Sequence, residues 1–425
     1  MSTAAASPSS RVRDWAESGA LALTGRPDGP PVVPPGAAAT VARTLAAQIT
    51  ASAALAGRAP EVDGARLLSE RAALTGFTRR GDVTLGGSGR LLRTADGWAA
   101  VSCARPDDPL LLGALVCADL DPADPWPAVA AWLSTHTGDE LTERAEMLGV
   151  CASRTGALSE ARASESAPLR GTRSVEGLLV VDFGSLWAAP LCAHLLGLAG
   201  ARVVKVETPS RPDGARRGNR DFYTLMHAGH ESVCLDPAVP ADRAALAELV
   251  AAADIVIEAS RPRALAGFGL DAQETAARGA TWVSITVGGR ASGRVGFGDD
   301  IAASAGLVAV DERGPMFVGD AIADPLSGLT AAALACSADA PGRLIDVSMT
   351  DVVAGTLTAA ADGPAPPTRR QGDRWVVDTA EGEVEVVQPR RRQVPGTAPD
   401  LGADTVSVLR SLGIPTAGIS TVVAR

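Results

Sequence analysis

Between residues 175 and 287 short apolar runs alternate with Ala- and Leu-rich stretches, and that alternation leaves few folds open. Val175-Glu176-Gly177-Leu178-Leu179-Val180-Val181-Asp182-Phe183 reads as a buried strand, close to the continuous apolar run that a parallel sheet covered on both faces requires. Trp187-Ala188-Ala189-Pro190 then opens a helix with proline in its first turn. The helix continues through Cys192, Leu195, Leu196 and Leu198 and stops at Ala199-Gly200. A second strand is expected at 202–207, a helix from about 241 to 252, and further strands at 254–258 and 282–287. Strands and crossover helices in alternation imply an α/β fold with a doubly wound, Rossmann-like parallel sheet.

Composition narrows the function classes. A chain of 425 residues suggests two domains, and 46% hydrophobic against 21% charged residues favours a packed core over disorder. A formal charge of −10 argues against broad binding to nucleic acid or to an anionic membrane surface. Lys205 is the only lysine, which removes lysine as a catalytic candidate elsewhere. The six cysteines lie far apart in mostly apolar contexts, without a Cys-x-x-Cys pair, and read as small core residues in a reducing compartment. The N-terminus lacks a basic region followed by an apolar segment, and no stretch approaches the ~20 apolar residues of a membrane span. The expected location is therefore cytoplasmic. No metal-ligand spacing, Ser-His-Asp pattern or Gly-x-Ser-x-Gly elbow is present, so no metal is expected.

Asp324 stands between the apolar run that begins at Phe317 and a Ser327-Gly328 step that opens an Ala-rich helix. A carboxylate at such a junction can be half-shielded from water while facing a cleft, as a carboxylate nucleophile needs. The alternative is a plain helix N-cap.

Four motifs decide between these readings. They are VVDFGSLWAAPLCAHLLGLAGARVVKVETP at 180–209, IEASRPRALAGFGLD at 257–271, FVGDAIADPLSGLTAA at 317–332 and GRLIDVSMTDV at 342–352. In this order they resemble the class III coenzyme A transferases, a group that also holds acyl-CoA racemases. The resemblance implies that Asp324 is a catalytic nucleophile, that acyl-CoA and a carboxylic acid are the substrates, and that the protein is a homodimer, possibly interlocked.

The order of the parts departs from that family. Residues 90–152 resemble its small domain, which normally follows the nucleophile and here precedes the first strand. Residues 18–31 resemble the stretch before the nucleophile, yet Gly36-Ala37-Ala38-Ala39-Thr40 at the corresponding place has no carboxylate. The expected organisation is a small-domain-like α+β segment at 1–153 from a unit without its nucleophile, and a linker at 154–173. A CoA-binding and catalytic domain at 174–360 follows, then a Pro-rich linker at 361–370 and a return segment at 371–425, with a hairpin around Glu381-Gly382.

Coenzyme A is strongly anionic, so a binder needs concentrated positive charge. Arg211, Arg216, Arg217 and Arg220 follow the second strand, and Arg261 and Arg263 follow the third, at the strand ends where open α/β sheets bind ligands. Each is also readable as a solvated surface arginine. The resemblance adds Ala188 and Ala189 at the first helix, and places His230, fractionally charged near neutral pH, and Glu231 where relatives carry basic residues facing the cofactor. Gly86, Gly87 and Gly89 read equally as a flexible lid or a hairpin turn, and Gly319 and Gly328 are candidates for close approach to an oxyanion. No histidine lies between Val287 and Asp324, so two-base racemisation lacks one base. The implied reaction is CoA transfer through an aspartyl anhydride and an aspartyl-CoA thioester. A CoA-binding pseudoenzyme or scaffold, and an acyl-CoA isomerase or lyase, remain the alternatives.

Overall fold

The computed structural model describes residues 8–156, 170–260, 263–357, 365–394 and 396–420. Its centre is a six-stranded sheet: β1 (Leu179–Asp182), β2 (Arg202–Glu207), β3 (Glu231–Cys234), β4 (Ile255–Glu258), β5 (Thr281–Thr286) and β6 (Leu344–Ser348). All pairs are parallel, in the order β3-β2-β1-β4-β5-β6. The winding reverses between β1 and β4, where Val180 pairs with Val203 on one side and Ile255 on the other. In open α/β sheets the crevice at the carboxyl ends of such strands is the ligand site.

The strand pattern explains why both faces are covered. Val180, Ile255, Ile257, Val283 and Ile285 join one apolar core, while Leu179, Val181, Val204, Val206 and Val256 join another. Helices Ala188–Leu198 and Ala323–Ala335 cover the first face, and Pro240–Ala252 covers the second. The first two helices approach closely at Gly328, where a Cβ would stand 2.5 Å from the Ala188 carbonyl oxygen.

Glu231, which the family resemblance places where relatives face the cofactor, instead opens strand β3. The strand's charged and polar residues hide a pairing decided by distant partners. Arg202 grips Glu231 with Nε–Oε2 at 2.6 Å and Nη2–Oε1 at 3.0 Å. On the open edge, the Ser232 amide donates to Asp404 (2.8 Å) and the Cys234 amide to the Thr405 hydroxyl (3.0 Å). The return segment thus satisfies an edge that would otherwise invite pairing with another chain.

The N-terminal stretch contributes to two cores. Trp15, Leu21, Ile49 and Leu67 are fully buried in the core that also holds Val180, Leu191 and Leu329, and helix Ala38–Ala54 packs on helix Ala323–Ala335. Residues further along form a separate α+β unit. Its antiparallel sheet joins Gly89–Arg93, Trp98–Ser102 and Ala152–Arg154, with Leu112, Leu115, Leu133 and Leu141 filling the space beneath. This unit docks on its own chain: the Ser102 hydroxyl donates to Asp300 (2.8 Å), and the Phe317 amide donates to the Gly81 carbonyl (2.9 Å).

The expected hairpin around Glu381-Gly382 is present between strands Arg374–Thr379 and Gly382–Glu385. Residues 157–169 of the expected linker at 154–173, and 361–364 of the Pro-rich linker, lie outside the described residues. Among the described residues no helix is long and apolar enough to cross a membrane.

Candidate active site around Asp324

Asp324 sits in the first turn of helix Ala323–Ala335, one position inside the helix, and does not act as its N-cap. The carboxylate keeps part of its surface open, and the Gly298 backbone lies close against it. Gly298 has to be glycine, because a Cβ there would collide with the Asp324 carboxylate and the Ala321 carbonyl. Ala321, just before the helix, holds φ at +45°, a strained value for a residue with a Cβ. Its amide is fixed by the Asp299 carboxylate at 2.8 Å.

Three further carboxylates surround the nucleophile candidate. Asp299 and Asp300 open helix Gly298–Ser304, and Asp320 is fully buried one turn of chain before Asp324. Burial raises Asp324 to about 7, against the opposing pull of the Arg71 guanidinium. Burial also raises Asp299 to about 7, helped by Asp320, and Asp300 to about 6. Arg71 comes from the N-terminal stretch and forks onto Asp320, with Nε–Oδ2 at 2.9 Å and Nη2–Oδ1 at 2.5 Å. Its guanidinium lies 4.9 Å from the centre of the Trp187 ring. Trp187 follows β1 at its carboxyl end, so the Asp324 cluster and the crevice of the sheet meet at this arginine.

Sequence reasoning singled out Asp324 and did not single out Arg71, Asp299 or Asp320. The Gly298-Asp299-Asp300 and Gly319-Asp320 steps were the available signals, since glycine next to a carboxylate marks close approach. Arg71 had none, because its partner lies 249 residues away.

The other candidates are dispersed. Ala188 and Ala189 are buried at the start of their helix. Arg211, Arg217 and Arg220 are exposed in the stretch after β2, and Arg263 is exposed after β4. Those two strands flank β1, so the four arginines lie on either side of the crevice. Arg261 lies outside the described residues. Arg216 is already engaged: it pairs with Glu207 (2.6 Å), donates to the Pro399 carbonyl (3.1 Å) and lies 4.5 Å from the Tyr223 ring centre. Gly86, Gly87 and Gly89 form a closed turn in which the Gly87 amide donates to the Thr84 carbonyl and the Gly89 amide to the Thr84 hydroxyl. The Gly319 amide is taken by the Thr24 hydroxyl at 3.1 Å, and Gly328 serves the helix contact. The glycine whose backbone lies against the Asp324 carboxylate is Gly298. No cluster of His, Cys, Asp and Glu suited to a metal ion occurs among the described residues.

His230 needs correction. It is buried, with ring centres 5.8 Å from His194 and 5.5 Å from His227. Burial first, and Lys205 second, push its imidazole down to about 3, so it is neutral and cannot anchor a phosphate at pH 7. Burial likewise holds His194 and His227 well below the ordinary histidine value. Glu231 does not confront a phosphate either, since Arg202 holds it.

The three imidazoles bear on stability. An unfolded histidine takes a proton near pH 6.5 and the folded ones do not. Their contribution is therefore complete above about pH 7 and is lost as the pH falls below about 6.5. His230→Leu is expected to flatten the loss of stability between pH 7 and pH 5. Urea midpoints of wild type and variant check this, and parallel pH slopes would contradict it.

Residues 175–378 match the family described as CoA-transferase family III. The succinyl-CoA–D-citramalate CoA-transferase of Chloroflexus aurantiacus is 30% identical over 178 residues, 38% of this chain and 44% of that protein. A formyl-CoA:oxalate CoA-transferase of Bradyrhizobium sp. is 30% identical over 105 residues, 23% of this chain and 25% of that protein. The chain thus spans less than half the length of these curated relatives. A solved structure of a hypothetical protein from Mycobacterium tuberculosis is 25% identical, with a TM-score of 0.43 over 49% of this chain and 66% of that one. The matched stretch holds all six strands of the parallel sheet and the helix of Asp324, and over it the chain is similar to CoA-transferase family III.

Proposed function

We propose that the protein moves coenzyme A between an acyl-CoA thioester and a carboxylic acid, with Asp324 as nucleophile. The observation that carries this reading is the part-open Asp324 carboxylate at a helix N-terminus, raised toward neutral pH by burial and closely approached by the Gly298 backbone. In the first step an Asp324 oxygen attacks the thioester carbonyl; the C–S bond breaks and the CoA thiolate leaves with its electron pair, giving a mixed anhydride. The thiolate then attacks the aspartyl carbonyl and expels the donor acid as its carboxylate. An acceptor carboxylate attacks the aspartyl thioester, releasing the thiolate and forming a second anhydride. Attack of the thiolate on the acceptor acyl carbon yields the new acyl-CoA and restores Asp324.

Each addition develops an oxyanion, for which a preplaced amide donor contributes about 3 kcal/mol. The amide of Gly298, whose backbone lies against the aspartyl carboxyl group, is the candidate for such a donor. Because Asp324 must be ionised to attack, the rate should rise with pH through about 7. Incubation with succinyl-CoA and oxalate, followed by mass spectrometry for the exchanged thioester and for a hydroxylamine adduct on Asp324, tests the reading. Absence of both would reject it.

One observation favours a CoA binder with weakened turnover: Arg216 is consumed by Glu207 and His230 is neutral, so fewer cations are left for the phosphates. The exposed Arg211, Arg217 and Arg220 would then carry the cofactor. Replacing all three with glutamine is expected to weaken CoA binding at least tenfold and to flatten its salt dependence. Calorimetry at two salt concentrations checks this, and unchanged affinity would assign the phosphates elsewhere.

A further inference from the structure

The short helix Glu70–Thr75 lies in the N-terminal stretch and is held from two sides. Glu70 is fully buried and receives the Arg392 amide (2.9 Å), Nε (2.7 Å) and Nη2 (2.9 Å). The next residue, Arg71, reaches the other way to Asp320 and lies against Trp187. Gly76 closes the helix in the left-handed conformation, φ +68°. Two of the three guanidinium nitrogens, Nε and Nη2, are thereby committed to one buried carboxylate, while Nη1 has no hydrogen-bond partner among the described residues.

We propose that Arg71 docks the carboxylate of the acid substrate beside Asp324, a role that rests on the acyl-transfer reading above. An acceptor acid and a site with four aspartates repel each other unless a cation lies between them. The positive charge that bears on Asp324 is that of Arg71, and the same charge bears on Asp299 and Asp320. Burial works against that charge, and Asp320 more than offsets it, so the guanidinium stays ionised at every working pH. Asp320 fixes the in-plane direction of the fork and Trp187 fixes the plane, which leaves Nη1 as the edge available to an incoming anion. Lysine could supply the charge but not a planar fork with one edge bound and one edge offered. The N-terminal stretch thus completes the site around Asp324.

Arg71→Lys and Arg71→Gln test the assignment, with urea unfolding to show that each is folded; the lysine variant keeps the charge beside Asp320 should the glutamine variant fail to fold. With succinyl-CoA as donor and oxalate as acceptor, the expected result is a rise of at least thirtyfold in KM for oxalate and less than threefold in KM for succinyl-CoA. The pH midpoint of the rate should move upward in Arg71→Gln, because the cation that favours ionised Asp324 is gone. Calorimetry of oxalate with the CoA-loaded protein reads the docking without turnover. Oxalate affinity equal in wild type and Arg71→Lys overturns the assignment of Arg71, even if Asp324 is trapped by hydroxylamine in both. Oxalate affinity lost in the variant, with no trapping of Asp324 in either protein, supports the docking role and rejects the transfer reaction instead.

Discussion

Replacing Asp324 with asparagine is expected to abolish CoA transfer and, at pH 8, to make the protein harder to unfold. The first effect follows from removing the atom that forms the anhydride, and a loss of at least a thousandfold is expected. The second follows from the same residue's protonation. Burial raises the folded carboxyl to about 7, from 3.8 for a free aspartate. The stabilisation linked to holding its proton is therefore complete below about pH 4 and is lost as the pH rises through about 7. A difference of about three units corresponds to roughly 4 kcal/mol, and partial contact with water brings the expected gain for asparagine nearer 1–3 kcal/mol. Urea unfolding at pH 8 and pH 5 separates the two conditions: the variant should be the more stable at pH 8, with the advantage shrinking at pH 5. An asparagine variant less stable than wild type at pH 8 would show that the site holds no desolvated charge.

Lys205→Met is expected to be the most destabilising single change in the sheet domain, by about 3–5 kcal/mol. Lys205 is almost completely buried on β2, 3.7 Å from Asp182 and 3.4 Å from Asp213, and it donates to the Gly184 carbonyl. Burial disfavours its charge, and the two carboxylates more than compensate, so the ammonium is held above its ordinary value. Methionine fills the space but leaves Asp182, Asp213 and the nearby Glu207 without their cation. Asp182, which burial already pushes up, would then relieve the repulsion by taking up a proton. The deficit should accordingly be smaller at pH 5 than at pH 8, which denaturation at the two pH values measures. A pH-independent deficit would mean that Lys205 contributes packing alone.

What could be read in advance followed the range of the forces involved. Strand β2 was expected at 202–207 and is found at Arg202–Glu207, because Val203, Val204 and Val206 announce a buried strand within one short window. Helix Pro240–Ala252 was similarly legible, as its proline and its apolar periodicity are local. Strand β3 was not, since Glu231 and Ser232 have no strand-like character until Arg202 and Asp404 meet them. The site divides in the same way. Asp324 was legible because the residues around it along the chain form a motif, whereas Arg71 acquires its meaning only from Asp320 and Trp187. His230 misled because its isolated type suggests a titrating cation, and only the packed His194 and His227 make it neutral.

Helix Ala38–Ala54 packs on helix Ala323–Ala335 within one polypeptide, and Arg71 reaches Asp320 across the same seam. A site assembled from two separate chains is emptied by dilution, since its occupancy follows mass action. Here the two halves are tethered, and their encounter is a step of folding with a high effective concentration. The contact between Arg71 and Asp320 should therefore be indifferent to how dilute the protein becomes.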